Sequence, residues 1–210
     1  MTVDFAKLVS DFSKFKIKSN SDGLIPISNV FIIKFPSKFF NIFSLNLLNS
    51  IMNSPCKIGE TSICEDLYNY AAGLLENASA ECGYNTGCAV INSEEFEAVM
   101  GSSAKKPEDI LYGLFAVAAS WGWGDLEIIE LIPDEKLVLR IYDYYESDVK
   151  GSLQSNHYFA YMWTGVARAF MDLIYGPKCP PQRFGVFKCT QTKGIELGDS
   201  YGEFIVTKNV

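Results

Sequence analysis

The sequence predicts an α+β fold in which an antiparallel sheet is covered on one face by helices. Three observations predict it. Residues 126–132 and 137–144 read as two strands joined by Pro133-Asp134-Glu135. Residues 184–207 read as a second hairpin around Gly198-Asp199, a dipeptide that supplies positive-φ turn chemistry. The remaining apolar residues recur mostly at helical spacing. Strands joined by short turns pair antiparallel, and helices grouped beside them cover one face.

In chain order, Phe5, Leu8, Val9, Phe12 and Phe15 predict a helix over 3–16. Ser19-Asn20-Ser21-Asp22-Gly23 and Pro26 make 17–26 a loop. Val30 to Phe35 is β-branched and aromatic and reads as a strand. Residues 37–52 place Phe40, Phe43, Leu47 and Ile51 on one helical face, and 54–59 break that helix. Thr61 or Ser62 caps the next, which aligns Leu67, Ala71 and Leu74 and runs to about 79. Cys82 to Gly87 reads as a turn. Ser93 before Glu94 and Glu95 starts a short helix with its acids near the positive end of the dipole. Pro107 suits the first turn of the following helix, which carries Ile110, Leu114, Val117 and Trp121 and stops at Gly122. Residues 146–156 are polar and read as loop. His157 to Tyr175 reads as a long helix ended by Gly176-Pro177. The expected organisation is a helical extension, 1–25, and one domain, 26–210.

Composition narrows the function classes. Hydrophobic residues make up 48% of the 210 and charged residues 20%, enough apolar material for a core. The 15 Phe, 11 Tyr and 3 Trp serve either that core or an aromatic-lined cavity. A net charge of −7 disfavours non-specific nucleic-acid binding, and Lys14, Lys16 and Lys18 suit a solvated face. Residues 29–52 are the most apolar stretch, but Lys34, Pro36 and Lys38 interrupt them, so no membrane span is expected. Asp4, Lys7 and Asp11 interrupt the first segment, so no secretory leader is read there. The expectation is a cytoplasmic chain with free thiols. None of the six cysteines forms a Cys-x-x-Cys pair; Cys82 and Cys88 flank the expected turn and would suit a bridge in an oxidising or hyperthermophilic setting. His157 is the only histidine, and its position before a helix suits a structural role. No dinucleotide fingerprint, P-loop, His-Glu-x-x-His or nucleophile elbow is present. No catalytic residue and no cofactor are therefore assigned.

Four motifs carry a resemblance: Tyr68-Asn69-Tyr70-Ala71-Ala72-Gly73, Trp121-Gly122-Trp123-Gly124, Gly165, and Gly198-Asp199 leading to Glu203-Phe204. Their order over residues 58–206 resembles the 4-vinyl-reductase-type domain, also called the hydrocarbon-binding domain. The resemblance implies a fold that holds a small apolar molecule between helices and sheet. Relatives of that kind include sensor modules of aromatic-responsive regulators, proteins tied to bacteriochlorophyll synthesis and vesicle-tethering subunits. Many carry a zinc site built from three Cys and a Glu. Alignment on Gly165 and Gly198-Asp199 puts Ala160, Gln191, Gly194 and Gly202 at those places. Ala and Gly cannot coordinate zinc and a Gln amide is a poor ligand, so no zinc is expected.

Trp121, Trp123, Tyr161 and Trp163 are the candidate pocket residues, with Phe115 lining the same cavity. Ordinary core packing is the competing reading of each. Arg168 is a candidate for an acidic ligand group or, in the plainer reading, for an ion pair with a glutamate such as Glu203. The function expected is binding of a small hydrophobic molecule as a sensor or carrier. The alternatives are an interaction scaffold with a vestigial pocket, and an accessory protein or reductase acting on a vinyl tetrapyrrole. The expected partners are the ligand, a second copy in a homodimer to which helix 3–16 contributes, and a further protein.

Overall fold

The computed structural model describes residues 3–15, 18–34, 36–53, 61–101, 104–152, 157–176 and 185–209. Its centre is a four-stranded antiparallel sheet, β3 (Gly124–Ile132), β4 (Lys136–Tyr144), β5 (Phe187–Lys193) and β6 (Gly202–Lys208), in the order β3-β4-β6-β5. Both hairpins fall where turn chemistry placed them. Asp134 adopts φ 60° at the first turn, and Gly198 adopts φ 106° near the second. The second connection is longer than a two-residue turn: a 3-10 turn, Ile195–Leu197, precedes Gly198, and Asp199 accepts the Gly194 N–H at 2.9 Å to close it. Leu137, Leu139, Ile141, Phe187, Phe204 and Val206 are fully buried on the covered face. On the other face Arg140 pairs with its cross-strand neighbour Glu203 at 3.1 Å, and Arg140 and Lys193 both lie over the Tyr201 ring.

Six helices are described among these residues: α1 (Phe5–Phe12), α2 (Ser37–Met52), α3 (Thr61–Ile91), α4 (Glu94–Met100), α5 (Pro107–Ser120) and α6 (Tyr161–Tyr175). A small separate hairpin, β1 (Ile25–Ile27) and β2 (Val30–Ile32), precedes α2. Part of the stretch read as loop is thus a strand, and the expected strand ends earlier. Its last residue, Phe35, lies outside the described residues, as does the break at 54–59.

The largest departure is α3. The turn expected at Cys82–Gly87 is helix, and α3 runs unbroken for 31 residues. Glycine within a helix costs about 1 kcal/mol relative to alanine, yet Gly83 and Gly87 let α6 pack closely on α3. A Cβ at Gly83 would come within 3.0 Å of Val166, and one at Gly87 within 2.9 Å of Leu173. The glycines are spacers between helices, not breakers. Opposite them, Gly165 brings α6 onto the α3 backbone: a Cβ there would meet Ser79 Cβ at 2.6 Å and Ala80 N at 2.8 Å.

Helix α6 begins at Tyr161 rather than His157. Ala160 stands at its N-cap and has no side chain to cap with. The side chain of Glu146 does that work from a distance, accepting Met162 N at 2.9 Å and Trp163 N at 3.0 Å. Glu146 belongs to a 3-10 turn, Tyr145–Val149, whose Glu146, Ser147 and Val149 are buried. The start of the polar stretch read as loop is therefore interior. Further along, the fully buried Asp172 accepts the N–H groups of Gly185 and Phe187 and so fixes the start of β5.

Helix α1 is capped by Asp4, which accepts Lys7 N at 3.0 Å. Leu8 and Phe12 are buried in the main core, and Phe12 stacks on Phe96 at 5.6 Å. The apolar face expected to serve a second copy is occupied within the chain. Cys82 is a free thiol and Cys88 is disulfide-bonded, so these two do not bridge and the thiols are not all free. No helix among the described residues is long and apolar enough to cross a membrane.

Candidate functional site

Helices α3, α5 and α6 diverge from their close contacts and leave a cleft of about 50 Å³. Its wall is mostly aliphatic and aromatic: Val90 from α3, Leu114 and Val117 from α5, and Met162, Val166 and Phe170 from α6. The last three recur at i, i+4 and i+8, one stripe of the helix. Polar atoms are few. Ser79 Oγ already donates to Met162 O at 2.7 Å, and the Thr86 hydroxyl lies 3.9 Å from the thiol of Cys82 at the solvent side.

The end of α5 supplies two indoles. Trp121 caps the helix with its N–H on Val117 O at 3.0 Å; Gly122 then takes φ 82°, and Trp123 N returns to Ala118 O at 3.2 Å. This reversal turns both rings onto the cleft. Trp123 is held edge-on against Trp163 at 5.8 Å, and Trp163 Nε1 donates to Trp123 O at 3.2 Å.

A second cavity, about 250 Å³, lies between α1, β1, α4 and α5. Phe12, Phe15, Ile25, Ile27 and Phe96 line it, with Lys18 and Glu95 as its charged groups. The two cavities have three residues in common: Val90, Val117 and Trp121.

The six candidate residues do not converge. Trp121 and Trp123 line the cleft. Trp163 and Phe115 stand one layer behind it, Phe115 edge-on to Phe170 at 5.1 Å and both fully buried. Tyr161 belongs to a second cluster with Leu48, Tyr68 and Phe159; its hydroxyl meets that of Tyr68 at 3.0 Å. Arg168 pairs with Glu76 at 3.3 Å and donates to Asn77, while Glu203 is taken by Arg140. The plainer reading of Arg168 holds with a different partner. Ser79, Cys82, Thr86 and the two spacer glycines were not among the candidates, because the expected end of α3 near 79 removed that wall.

The positions aligned with zinc ligands do converge, on a carboxylate. Glu196 is buried and accepts Phe159 N at 3.0 Å, Gln191 Nε2 at 2.8 Å and the Tyr144 hydroxyl. Gln191 Oε1 accepts Ala160 N at 3.2 Å. A Cβ at Gly194 would fall 2.6 Å from Glu196 Oε1, and one at Gly202 2.8 Å from the Tyr144 ring. The two glycines make room for Glu196 and Tyr144. These residues do not fit zinc: the one carboxylate present is fully engaged by protein donors, and no group of three or more His, Cys, Asp or Glu among the described residues is placed to hold a metal. Cys189 lies buried with its thiol pushed up by desolvation, which keeps it protonated. The His157 ring packs on Tyr68 at 4.6 Å.

Burial pushes the carboxyl of Glu146 up to about 8, against the two backbone N–H groups that favour its anion; the nearby Glu196 adds to the rise. A carboxyl raised in the folded state keeps a proton that the unfolded chain releases. Its contribution is full below about pH 4.5 and is lost as pH rises to about 8. Urea denaturation is expected to show stability falling across that window by up to about 1.4 kcal/mol per pH unit, with the fall removed in Glu146→Gln. An identical slope in the variant would assign it elsewhere.

No family model matches the chain, and no curated protein matches it by sequence. The phenol-responsive sensory domain of the transcription activator PoxR, solved with phenol, superposes with a TM-score of 0.70 at 10% identity, covering 99% of this chain and 92% of that one. A trafficking protein particle complex subunit 3 from Naegleria fowleri, covalently bound to palmitic acid, matches at a TM-score of 0.43 and 17% identity over 80% of this chain and 96% of that one. The likeness to the sensory domain is one of fold: this chain has the α+β architecture of that domain.

Proposed function

We propose that the chain is a binding domain of the 4-vinyl-reductase type, holding a small hydrophobic molecule in the cleft between α3, α5 and α6 as a sensor or carrier. The observation that carries this is the cleft itself: an apolar wall closed by two indoles, with a hydroxyl and a thiol among its few polar groups. Burying an apolar ligand there supplies affinity at about 25 cal/mol per Å². A sensory domain with this fold was solved with phenol, which supports a ligand of similar chemistry. A tetrapyrrole is a poorer fit. One benzene ring occupies a cavity of about 150 Å³, and a macrocycle needs several times that, more than either cavity gives.

One observation favours the scaffold reading as a second role. Phe39, Ile42, Phe43 and Leu47 of α2 and Leu67, Tyr70 and Leu74 of α3 are exposed apolar side chains on neighbouring helices. Their combined exposure is on the order of the 800 Å² that each partner of a standard interface buries, and a second copy of the chain is the occupant proposed. Native mass spectrometry tests both readings. The expected result is a dimer that retains an apolar molecule as purified, or takes up one added phenol per chain, and loses it on mild denaturation. A monomer would remove the dimer, and a chain that neither retains nor takes up any small molecule would remove the binding role.

A further inference from the structure

The cleft is too small for the ligands proposed for it. At about 50 Å³ it offers less than the roughly 150 Å³ that one aromatic ring needs, so a bound ring must move part of the wall. Most of the wall cannot move. Phe170 packs edge-on against Phe115, and Val166 against the α3 spacer Gly83. Val90, Val117 and Trp121 also line the larger cavity. The two valines are buried within helices, where a β-branched side chain holds a single rotamer. Trp121 differs in each respect. It is half-buried, it ends α5, and Gly122 follows it in the left-handed region. The space behind it is several times larger than the cleft.

The opposite end of the cleft, at Cys82, opens to solvent. A ligand that extended that way would leave apolar surface wet, whereas one that passes Trp121 buries it among Phe12, Ile27 and Phe96.

We propose that the two cavities are one site divided by the Trp121 indole: an alkyl-substituted aromatic molecule seats its ring in the cleft, the indole turns into the outer cavity, and the substituent follows it. This rests on the binding reading above and adds that Trp121 sets how long a substituent the site accepts.

The test is isothermal titration of the full chain with phenol and a series of 4-n-alkylphenols from methyl to hexyl. Two variants act in opposite directions. Trp121→Ala removes the partition and is expected to tighten 4-hexylphenol about tenfold relative to phenol. Ile27→Trp fills the outer cavity without lining the cleft and is expected to weaken 4-hexylphenol about tenfold relative to phenol; Ile27→Phe is the smaller substitute should the tryptophan unfold the hairpin. A hexyl-to-phenol ratio unchanged in both positions overturns the divided site while leaving binding intact. Failure of every phenol to bind wild type and variants alike overturns the binding reading, and this inference with it.

Discussion

Gly165→Ala is expected to destabilise the protein by about 3 kcal/mol or more. The added methyl has nowhere to go: it would land on the carbonyl oxygen of Glu76, 2.6 Å from Ser79 Cβ and 2.8 Å from Ala80 N. Two of those three neighbours are backbone of α3, so relief requires the helices to separate along their whole contact, and with them the cleft at whose head Ser79 stands. Gly73→Ala is the matched comparison. It sits in α3 with nothing within 4 Å of the added carbon, so helix propensity alone acts and the variant should be neutral or more stable by about 0.5–1 kcal/mol. Equilibrium urea denaturation measures both. Similar losses in the two variants would show that glycine conformational freedom, not the helix contact, governs position 165.

The second large effect is at Glu196. Glu196→Ala leaves two buried donors, Phe159 N and the Tyr144 hydroxyl, without an acceptor, and leaves Gln191 Nε2 with Lys193 O alone. Each unsatisfied donor costs about 1–3 kcal/mol, so a loss of at least about 2 kcal/mol is expected. Glu196→Gln keeps the oxygen that serves Phe159 and Gln191 and offers an amide to the Tyr144 oxygen; its loss should stay below about 1.5 kcal/mol. Equal losses from the two variants, read from thermal or urea unfolding, would mean that volume rather than hydrogen bonding is what Glu196 contributes.

Local chemistry was legible in the sequence and long-range packing was not. Ser93 caps α4 by accepting Phe96 N, as its position before Glu94 and Glu95 implies. Pro133-Asp134-Glu135 and Gly198-Asp199 mark the two reversals of the sheet. The end of α3 was misplaced because Gly83 and Gly87 are ambiguous in one dimension: the same residue that ends an isolated helix lets a second helix approach closely. The start of α6 was misplaced for a related reason, since its cap comes from Glu146, fifteen residues before Tyr161. The candidate site follows the same division. Trp121 and Trp123 were found from a local Trp-Gly-Trp-Gly pattern. Tyr161 and Arg168 lie on the same helix as Met162, Val166 and Phe170 but not on the stripe that faces the cleft, a distinction set by the position of α3 and invisible until α3 is known to continue past Ser79.

The direct contact of Gly165 with the α3 backbone also decides which parts of the molecule can answer an occupant. Two helices that touch main chain to main chain, with Gly83 and Gly87 filled by Val166 and Leu173, have no slack to scissor apart. They form a fixed jaw. The opposing jaw is the end of α5, whose Trp121-Gly122-Trp123 reversal continues directly into β3, the edge strand of the sheet. Were the Trp121 indole to turn as proposed, the displacement would pass along the chain to the rim of the sheet rather than between the two long helices.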